Sequence, residues 1–138
     1  MSGRRLVEIG FPARPESLRG MRGVVADAAR SAGCRPALVE QLVLALDEAC
    51  SNVIRHAYRG NPLGQIVLTI DHADDRLVFR VRDYAAGVDL TGIRPARGKG
   101  LRPGGLGVRL IDSIMDSWEF QTPDDGQGNL LIMTRTIG

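Results

Sequence analysis

The sequence predicts an α+β fold, a two-layer sandwich in which about three helices lie on one face of a mixed, mostly antiparallel sheet. Two observations predict this class. Two pairs of segments alternate apolar and polar residues on either side of a turn, as β-hairpins do. The segments with helical periodicity lie outside these hairpins. No repeat and no linker divides the 138 residues, which are enough for one core, so a single domain is predicted over residues 1–138.

The first half of the chain predicts a strand followed by two helices. Residues 4–11, RRLVEIGF, read as a short strand. Residues 15–33 carry apolar side chains at helical spacing and end at a glycine that can cap a helix. The strongest helical pattern covers residues 36–58, because Pro36 suits a first turn and Gly60 ends the pattern.

The second half predicts two hairpins separated by a long loop and a helix. The first hairpin joins GQIVLTIDH and RLVFRVRDY, and the second joins WEFQT and NLLIMTRTI. Residues 106–118 return to helical spacing. The loop at 85–105 is basic and rich in glycine and proline, and loops of this length are usually functional or disordered. It ends in GGLG at a helix start, where free N–H groups favour an anion.

Composition argues against several classes of function. A net charge of +2 and an aromatic content of 4% speak against direct binding of nucleic acid. No apolar run approaches the ~18 residues of a membrane span and no signal peptide opens the chain, so we expect a cytoplasmic protein without a membrane partner. Cys34 and Cys50 lack the spacing of a metal site and are not expected to form a disulfide.

The second predicted helix carries a polar stripe. Glu48, Asn52 and His56 follow one another at intervals of four residues, so they share a helix face. An amide oxygen can ligate Mg²⁺, which prefers hard oxygen donors, and a carboxylate can accept a proton or position a water. The same spacing also fits an ordinary solvated stripe, and a histidine at its end can be purely structural.

A second group of candidates lies where the first hairpin ends. Asp83 closes the strand, and Gly87 follows four residues later. A carboxylate there can accept a hydrogen bond from an exocyclic amine such as that of adenine, and a glycine lets a flat ring approach the backbone. A strand-end aspartate that begins a turn is the alternative. GGLG is too short for a dinucleotide fingerprint, and a Walker motif is absent.

Taken in order, these segments resemble the ATP-binding domain of the GHKL (histidine-kinase-like ATPase) superfamily. DEACSNVIRHAY looks like its N-box, GGLGVRLIDSIMDSWEF like its second glycine box with the following helix, and GNLLIMTRT like its last strand. The arrangement is most similar to the anti-sigma factor serine/threonine kinases of bacterial partner-switching systems. The resemblance covers nearly the whole chain and implies the GHKL fold, with ATP and Mg²⁺ as cofactors.

The resemblance also implies roles for single residues. It makes Glu48 the general base, Asn52 the Mg²⁺ ligand and Asp83 the residue that recognises the adenine amino group. Residues 88–104 match the mobile ATP lid. The other nucleotide-binding candidates are Gly87, Gly105, Gly107, His56, Arg97 and Lys99.

The function implied is transfer of the ATP γ-phosphoryl group to a serine or threonine of an anti-sigma-factor antagonist, together with sequestration of a sigma factor. A homodimer is a state that the resemblance allows.

One residue departs from the pattern, since Ala85 stands where the glycine box has its first glycine. If that position needs positive φ, alanine costs about 1 kcal/mol or more. If it faces the adenine base, the methyl group narrows the space that adenine would occupy. Ala85 therefore leaves open a binding module that transfers no phosphate. An ATPase that activates water is a separate alternative.

Overall fold

Within residues 3–85 and 106–137, which the computed structural model describes, five strands form one sheet and three helices pack on one of its faces. Only the backbone is described at residues 106 and 107. The strands are β1 (Gly3–Pro12), β2 (Gln65–Ala73), β3 (Arg76–Asp83), β4 (Ser117–Gln121) and β5 (Asn129–Thr136). The helices are α1 (Ser17–Ser31), α2 (Pro36–Asn52) and α3 (Leu106–Ile114).

The strand order in the sheet is β1-β2-β3-β5-β4, so the last strand lies between β3 and β4. Each neighbouring pair is antiparallel. The predicted two-layer α+β class and both predicted hairpins are confirmed. The described sheet is antiparallel throughout, whereas the prediction was a mixed, mostly antiparallel sheet.

Side chains alternate between the two faces of the sheet. Ile66, Leu68 and Ile70 of β2 are fully buried and pack with the helices into the core, whereas the residues between them are half-buried. Ile66 stands opposite Asp83 of β3, and Asp83 stands opposite Asn129 of β5. Because residues directly opposite one another share a face, Asp83 and Asn129 both lie on the helical side of the sheet.

The second helix differs from the prediction of one continuous helix over 36–58. Its α-helical part ends at Asn52, and Val53–Ala57 form a turn of π-helix. The N–H of Tyr58 donates to a carbonyl five residues back, at 2.9 Å, rather than four. Gly60 then ends the helix as predicted, with φ +80. π-helical turns are frequent at functional sites, and this one directly follows a predicted site residue.

The third helix also ends earlier than its pattern predicts. Arg135 Nη1 donates to the carbonyl of Ile114, the last residue of α3, at 2.6 Å. The N–H of Asp116 donates to the carbonyl of Thr134 at 2.8 Å, so the chain has already begun to pair with β5. Trp118, which was predicted both as the end of this helix and as the start of the second hairpin, lies in β4.

The remaining expectations concern the cysteines, membrane spans and the lid. Cys34 and Cys50 are free, and full burial raises the pKa of the Cys50 thiol to about 12. Among the described residues, no helix combines the length and the apolar character needed to cross a membrane. The predicted lid, residues 88–104, lies outside the described residues.

Candidate functional site

The polar face of α2 carries the predicted base and the predicted metal ligand. Glu48 and Asn52 lie one turn apart in regular α-helix, and both side chains are half-buried. Leu42, Leu46 and Ala49 of the same helix are buried in the core. The helix is therefore anchored by its apolar face, while the two polar side chains stay within reach of a ligand.

Two adjacent carboxylates on α2 have different surroundings. Asp47 accepts a hydrogen bond from Arg22 Nη1 of α1 at 2.8 Å and so helps to join the two helices. Within the described part of the chain, no hydrogen bond or ion pair engages the carboxylate of Glu48. Of these two carboxylates, Glu48 is therefore the one that no described residue engages.

The amide oxygen of Asn52 suits a magnesium ion, but it already has a partner. Arg55 Nη2 donates to Asn52 Oδ1 at 2.9 Å. The described residues hold no cluster of three or more His, Cys, Asp and Glu side chains that could bind a metal. A Mg²⁺ at Asn52 would thus take most of its ligands from substrate phosphates and water, as Mg²⁺ commonly does, and it would displace the guanidinium.

Asp83 is a buried carboxylate at the end of β3. Only 3% of the residue is exposed. Its Oδ1 accepts hydrogen bonds from the Ala85 N–H at 3.0 Å and from Asn129 Nδ2 at 3.1 Å, while Oδ2 lies 3.4 Å from the same Nδ2. Burial raises the pKa of Asp83, and the hydrogen bonds from Ala85 and Asn129 oppose that rise. A carboxylate offers about four lone-pair sites, so Oδ2 keeps capacity for a further donor.

Asn129 is a residue of this site that sequence analysis did not find. It is buried, with 6% exposed, and its amide group holds the Asp83 carboxylate across the β3–β5 pair. A signal did exist, because an asparagine directly precedes the apolar run LLIM, residues 130–133. The signal has meaning only when the register that sets Asn129 opposite Asp83 is known.

Gly128 allows β5 to approach the backbone that follows Asp83. A Cβ at this position would lie 2.0 Å from the Asp83 carbonyl oxygen and 2.7 Å from Tyr84 Cα. The backbone of Gly128 also has φ +74, a conformation that favours glycine. This close approach brings the neighbouring Asn129 side chain within hydrogen-bonding distance of the carboxylate.

Ala85, which departs from the glycine box, carries no left-handed strain. Arg59 and Asp74 are the described non-glycine residues with positive φ, and Ala85 is not among them. The expected penalty for a methyl group in a left-handed conformation therefore does not arise. Ala85 is buried and its N–H supports Asp83, so the effect of its methyl group on the space that adenine would occupy stays a prediction.

A hydrogen bond ties the end of the helical segment to the end of β3. The hydroxyl of Tyr58 lies 2.7 Å from the N–H of Tyr84, the residue after Asp83. Tyr58 directly follows the π turn, which itself follows Asn52. The segments that carry the proposed metal ligand and the proposed adenine carboxylate are therefore neighbours at this contact.

The structure says less about the other predicted site residues. His56 is exposed within the π turn, and its predicted contact with nucleotide stays a prediction. Gly107 lies in the first turn of α3, where backbone N–H groups are free of intrahelical partners. The predicted residues that lie outside the described part of the chain are Gly87, Arg97, Lys99 and Gly105.

A comparison with known families agrees with this arrangement. The model of the family described as the histidine kinase-like ATPase domain matches residues 11–135. The chain belongs to the histidine kinase-like ATPase family. The superfamily expected from the sequence is thus confirmed, and the described fold is consistent with it.

Two known proteins resemble this chain over most of their length. It is 30% identical to the serine-protein kinase RsbW of Bacillus cereus strain AH187, over 95% of this chain and 84% of that protein. It is 28% identical to the serine-protein kinase RsbW of Oceanobacillus iheyensis, over 99% of this chain and 90% of that protein. The expected resemblance to anti-sigma factor serine kinases is confirmed.

Proposed function

We propose that this protein is an ATP-dependent serine kinase that phosphorylates an anti-sigma-factor antagonist protein and sequesters a sigma factor. Its similarity to two serine-protein kinases over most of each chain supports kinase activity. The observation that carries the proposal is the buried carboxylate of Asp83 beside the end of the helical segment that bears Glu48 and Asn52. The protein would act in the cytoplasm and can form a homodimer, without direct contact to nucleic acid or membrane.

Asp83 would select adenine. The hydrogen-bond donors to its carboxylate, the Ala85 N–H and the Asn129 amide, are neutral, and a buried carboxylate with spare acceptor capacity is costly. The exocyclic amine of adenine would donate to Oδ2 and offset part of that cost. Guanine and hypoxanthine carry an oxygen at the same ring position, and its lone pairs would face those of the carboxylate.

Glu48 would act as the general base. It would take the proton of the antagonist's serine hydroxyl while the hydroxyl oxygen bonds to the γ-phosphorus and the bond from that phosphorus to the bridging oxygen of ADP breaks. The products are phosphoserine and ADP, and the proton passes from Glu48 to solvent, which reaches this half-buried side chain. General-base catalysis contributes about 10²–10⁴-fold to a rate.

Asn52 would hold Mg²⁺ through Oδ1, in the place now taken by the guanidinium of Arg55. When bound, Mg²⁺ neutralises charge on the phosphates. The chain's own part in this is to set Asn52 one turn from Glu48 on a helix that Leu42 and Leu46 anchor in the core. The metal ligand and the base are thus held in a fixed relation.

The proposal is tested with Mg-ATP, the cognate antagonist and two neighbouring substitutions. Glu48→Gln should lower phosphate transfer by about 10²–10⁴-fold while ADP binding is retained, because an amide cannot accept the proton. Asp47→Asn is the matched control, since that carboxylate pairs with Arg22 and is expected to affect stability more than transfer.

Transfer by Glu48→Gln at the wild-type rate would show that Glu48 is not the base. A wild-type protein that binds ADP and the antagonist tightly and transfers no phosphate would be a binding module. A wild-type protein that binds no ADP would refute the nucleotide site itself.

A further inference from the structure

The hydroxyl of Tyr58 joins backbone groups of two strands. Its oxygen accepts hydrogen bonds from the N–H of Tyr84 at 2.7 Å and from the N–H of Gln65 at 3.3 Å. It donates to the carbonyl of Gln65 at 2.6 Å. A phenolic hydroxyl has one hydrogen and two lone pairs, so its bonding capacity is fully used by the protein. This tyrosine therefore links the start of β2 to the end of β3.

The ring of Tyr58 is held as firmly as its hydroxyl. It packs on Gly64, where a Cβ would lie 2.5 Å from a ring carbon. The backbone of Tyr58 is set by the π turn, since its N–H donates to the carbonyl of Val53 at 2.9 Å. The position of the hydroxyl thus depends on the turn that follows Asn52.

The peptide unit between Asp83 and Tyr84 is consequently held at both edges. Its N–H donates to Tyr58 Oη, and its carbonyl oxygen lies so close to Gly128 that a Cβ there would be 2.0 Å away. The carboxylate of Asp83 turns back to accept the N–H of Ala85, the next amide in the chain. A rotation of this peptide would therefore displace the Ala85 N–H from the carboxylate oxygen that accepts it, and the carboxylate would lose one of the donors that orient it.

We infer that Tyr58 is a positioning residue that fixes the Asp83 carboxylate for recognition of the adenine amine. The inference rests on the proposed function, because it assumes that a nucleotide binds at Asp83. It adds that adenine selectivity depends on a hydroxyl that does not touch the base. It also gives the π turn a role, since that turn carries the hydroxyl to the end of β3.

The test compares ADP with inosine diphosphate, in which an oxygen replaces the adenine amine. Both are titrated without Mg²⁺ by calorimetry against the wild-type protein and Tyr58→Phe, which keeps the ring and loses the hydroxyl. The wild type should prefer ADP. Tyr58→Phe should weaken ADP binding about tenfold, a change of 1.4 kcal/mol, and leave the inosine nucleotide almost unaffected, so that the preference falls.

A merely structural role would give a different result. If the hydroxyl only stabilised the fold, Tyr58→Phe would lower both affinities by the same factor and keep their ratio, and that outcome would overturn the inference. Ser117→Ala is the control, because it removes another hydroxyl hydrogen bond, to Thr134 at the far edge of the sheet. It should change neither affinity.

Hydrogen exchange separates failure of this inference from failure of the proposed function. Tyr58→Phe should speed exchange at the amides of Tyr84 and Gln65 in the ligand-free protein, and amides in the centre of β3 should keep their wild-type rates. Unchanged exchange at Tyr84 would show that the Tyr58 hydroxyl does not hold the Tyr84 amide, whether or not nucleotide binds. Wild-type protein that binds neither nucleotide would refute the proposed function and the role in adenine selection together, even if exchange at Tyr84 changes as expected.

Discussion

Gly128→Ala tests whether the close approach of β5 positions the carboxylate of Asp83, which we propose recognises adenine. A left-handed backbone, here with φ +74, costs a non-glycine residue about 1–2 kcal/mol. The new Cβ would also lie 2.0 Å from the Asp83 carbonyl oxygen, whereas ordinary contact begins at 3.4 Å. The start of β5 must move to make up this difference, and the movement carries the Asn129 amide away from Asp83.

The size of the effect follows from these two terms. Losing a hydrogen bond to a charged group costs about 1.5–3 kcal/mol. Added to the backbone cost of about 1–2 kcal/mol, this predicts that Gly128→Ala lowers the free energy of unfolding by about 2.5–5 kcal/mol. If the misaligned carboxylate of Asp83 makes the binding free energy of ADP 1.4 kcal/mol less favourable, ADP binding weakens about tenfold. Urea unfolding measures the first quantity, and calorimetry with ADP, under conditions where the variant is folded, measures the second.

The chain offers a matched control in the same turn. Gly126 has φ +73, and a Cβ there would meet nothing within 4 Å. Gly126→Ala should therefore lose only about 1–2 kcal/mol of stability and bind ADP like the wild type. If the two variants lost the same stability and bound ADP equally well, the close approach at Gly128 would have no role in placing Asp83 and Asn129.

Two further predictions concern the charges of the site. Burial raises the pKa of folded Asp83, so its contribution to stability is full below its unfolded pKa and is lost as pH rises through the folded pKa. Asp83→Asn should therefore gain stability relative to wild type as pH rises, and it should bind ADP more weakly. Urea unfolding at a series of pH values that span both pKa values would contradict this if the variant showed no relative gain. Arg55→Met should raise the Mg²⁺ affinity of the ADP-bound protein severalfold, because the guanidinium competes for Asn52 Oδ1. The exposed Arg76→Met is its control, and equal Mg²⁺ titration curves for both variants and the wild type would rule out the competition.

The elements that sequence predicted well are those set by local rules. The alternation over residues 64–72 predicts a strand because every second side chain must enter the core, and the observed strand β2 covers Gln65–Ala73. Pro36 begins α2 as predicted, because its fixed φ and missing N–H suit a first turn. The π turn at Val53–Ala57 was not predicted. Its residues also suit an α-helix, and the contacts of Tyr58 with the two strands are not local.

The residues of the candidate site show the same difference between local and non-local rules. Glu48 and Asn52 could be paired from sequence because helical spacing places them on one face. Asp83 could be singled out as a carboxylate at a strand end. Asn129 could not, because its partner is 46 residues away and only the pairing of β3 with β5 brings them together.

The strand order has a consequence for synthesis of the chain. β5 is the last described element to leave the ribosome, yet it occupies an interior place in the sheet between β3 and β4. Until it arrives, β3 has an open edge, and the Asp83 carboxylate has no amide from Asn129 to hold it. The pair of Asp83 and Asn129 should therefore form only after the 46 residues that follow Asp83 have been synthesised and β5 can add to the open edge of β3.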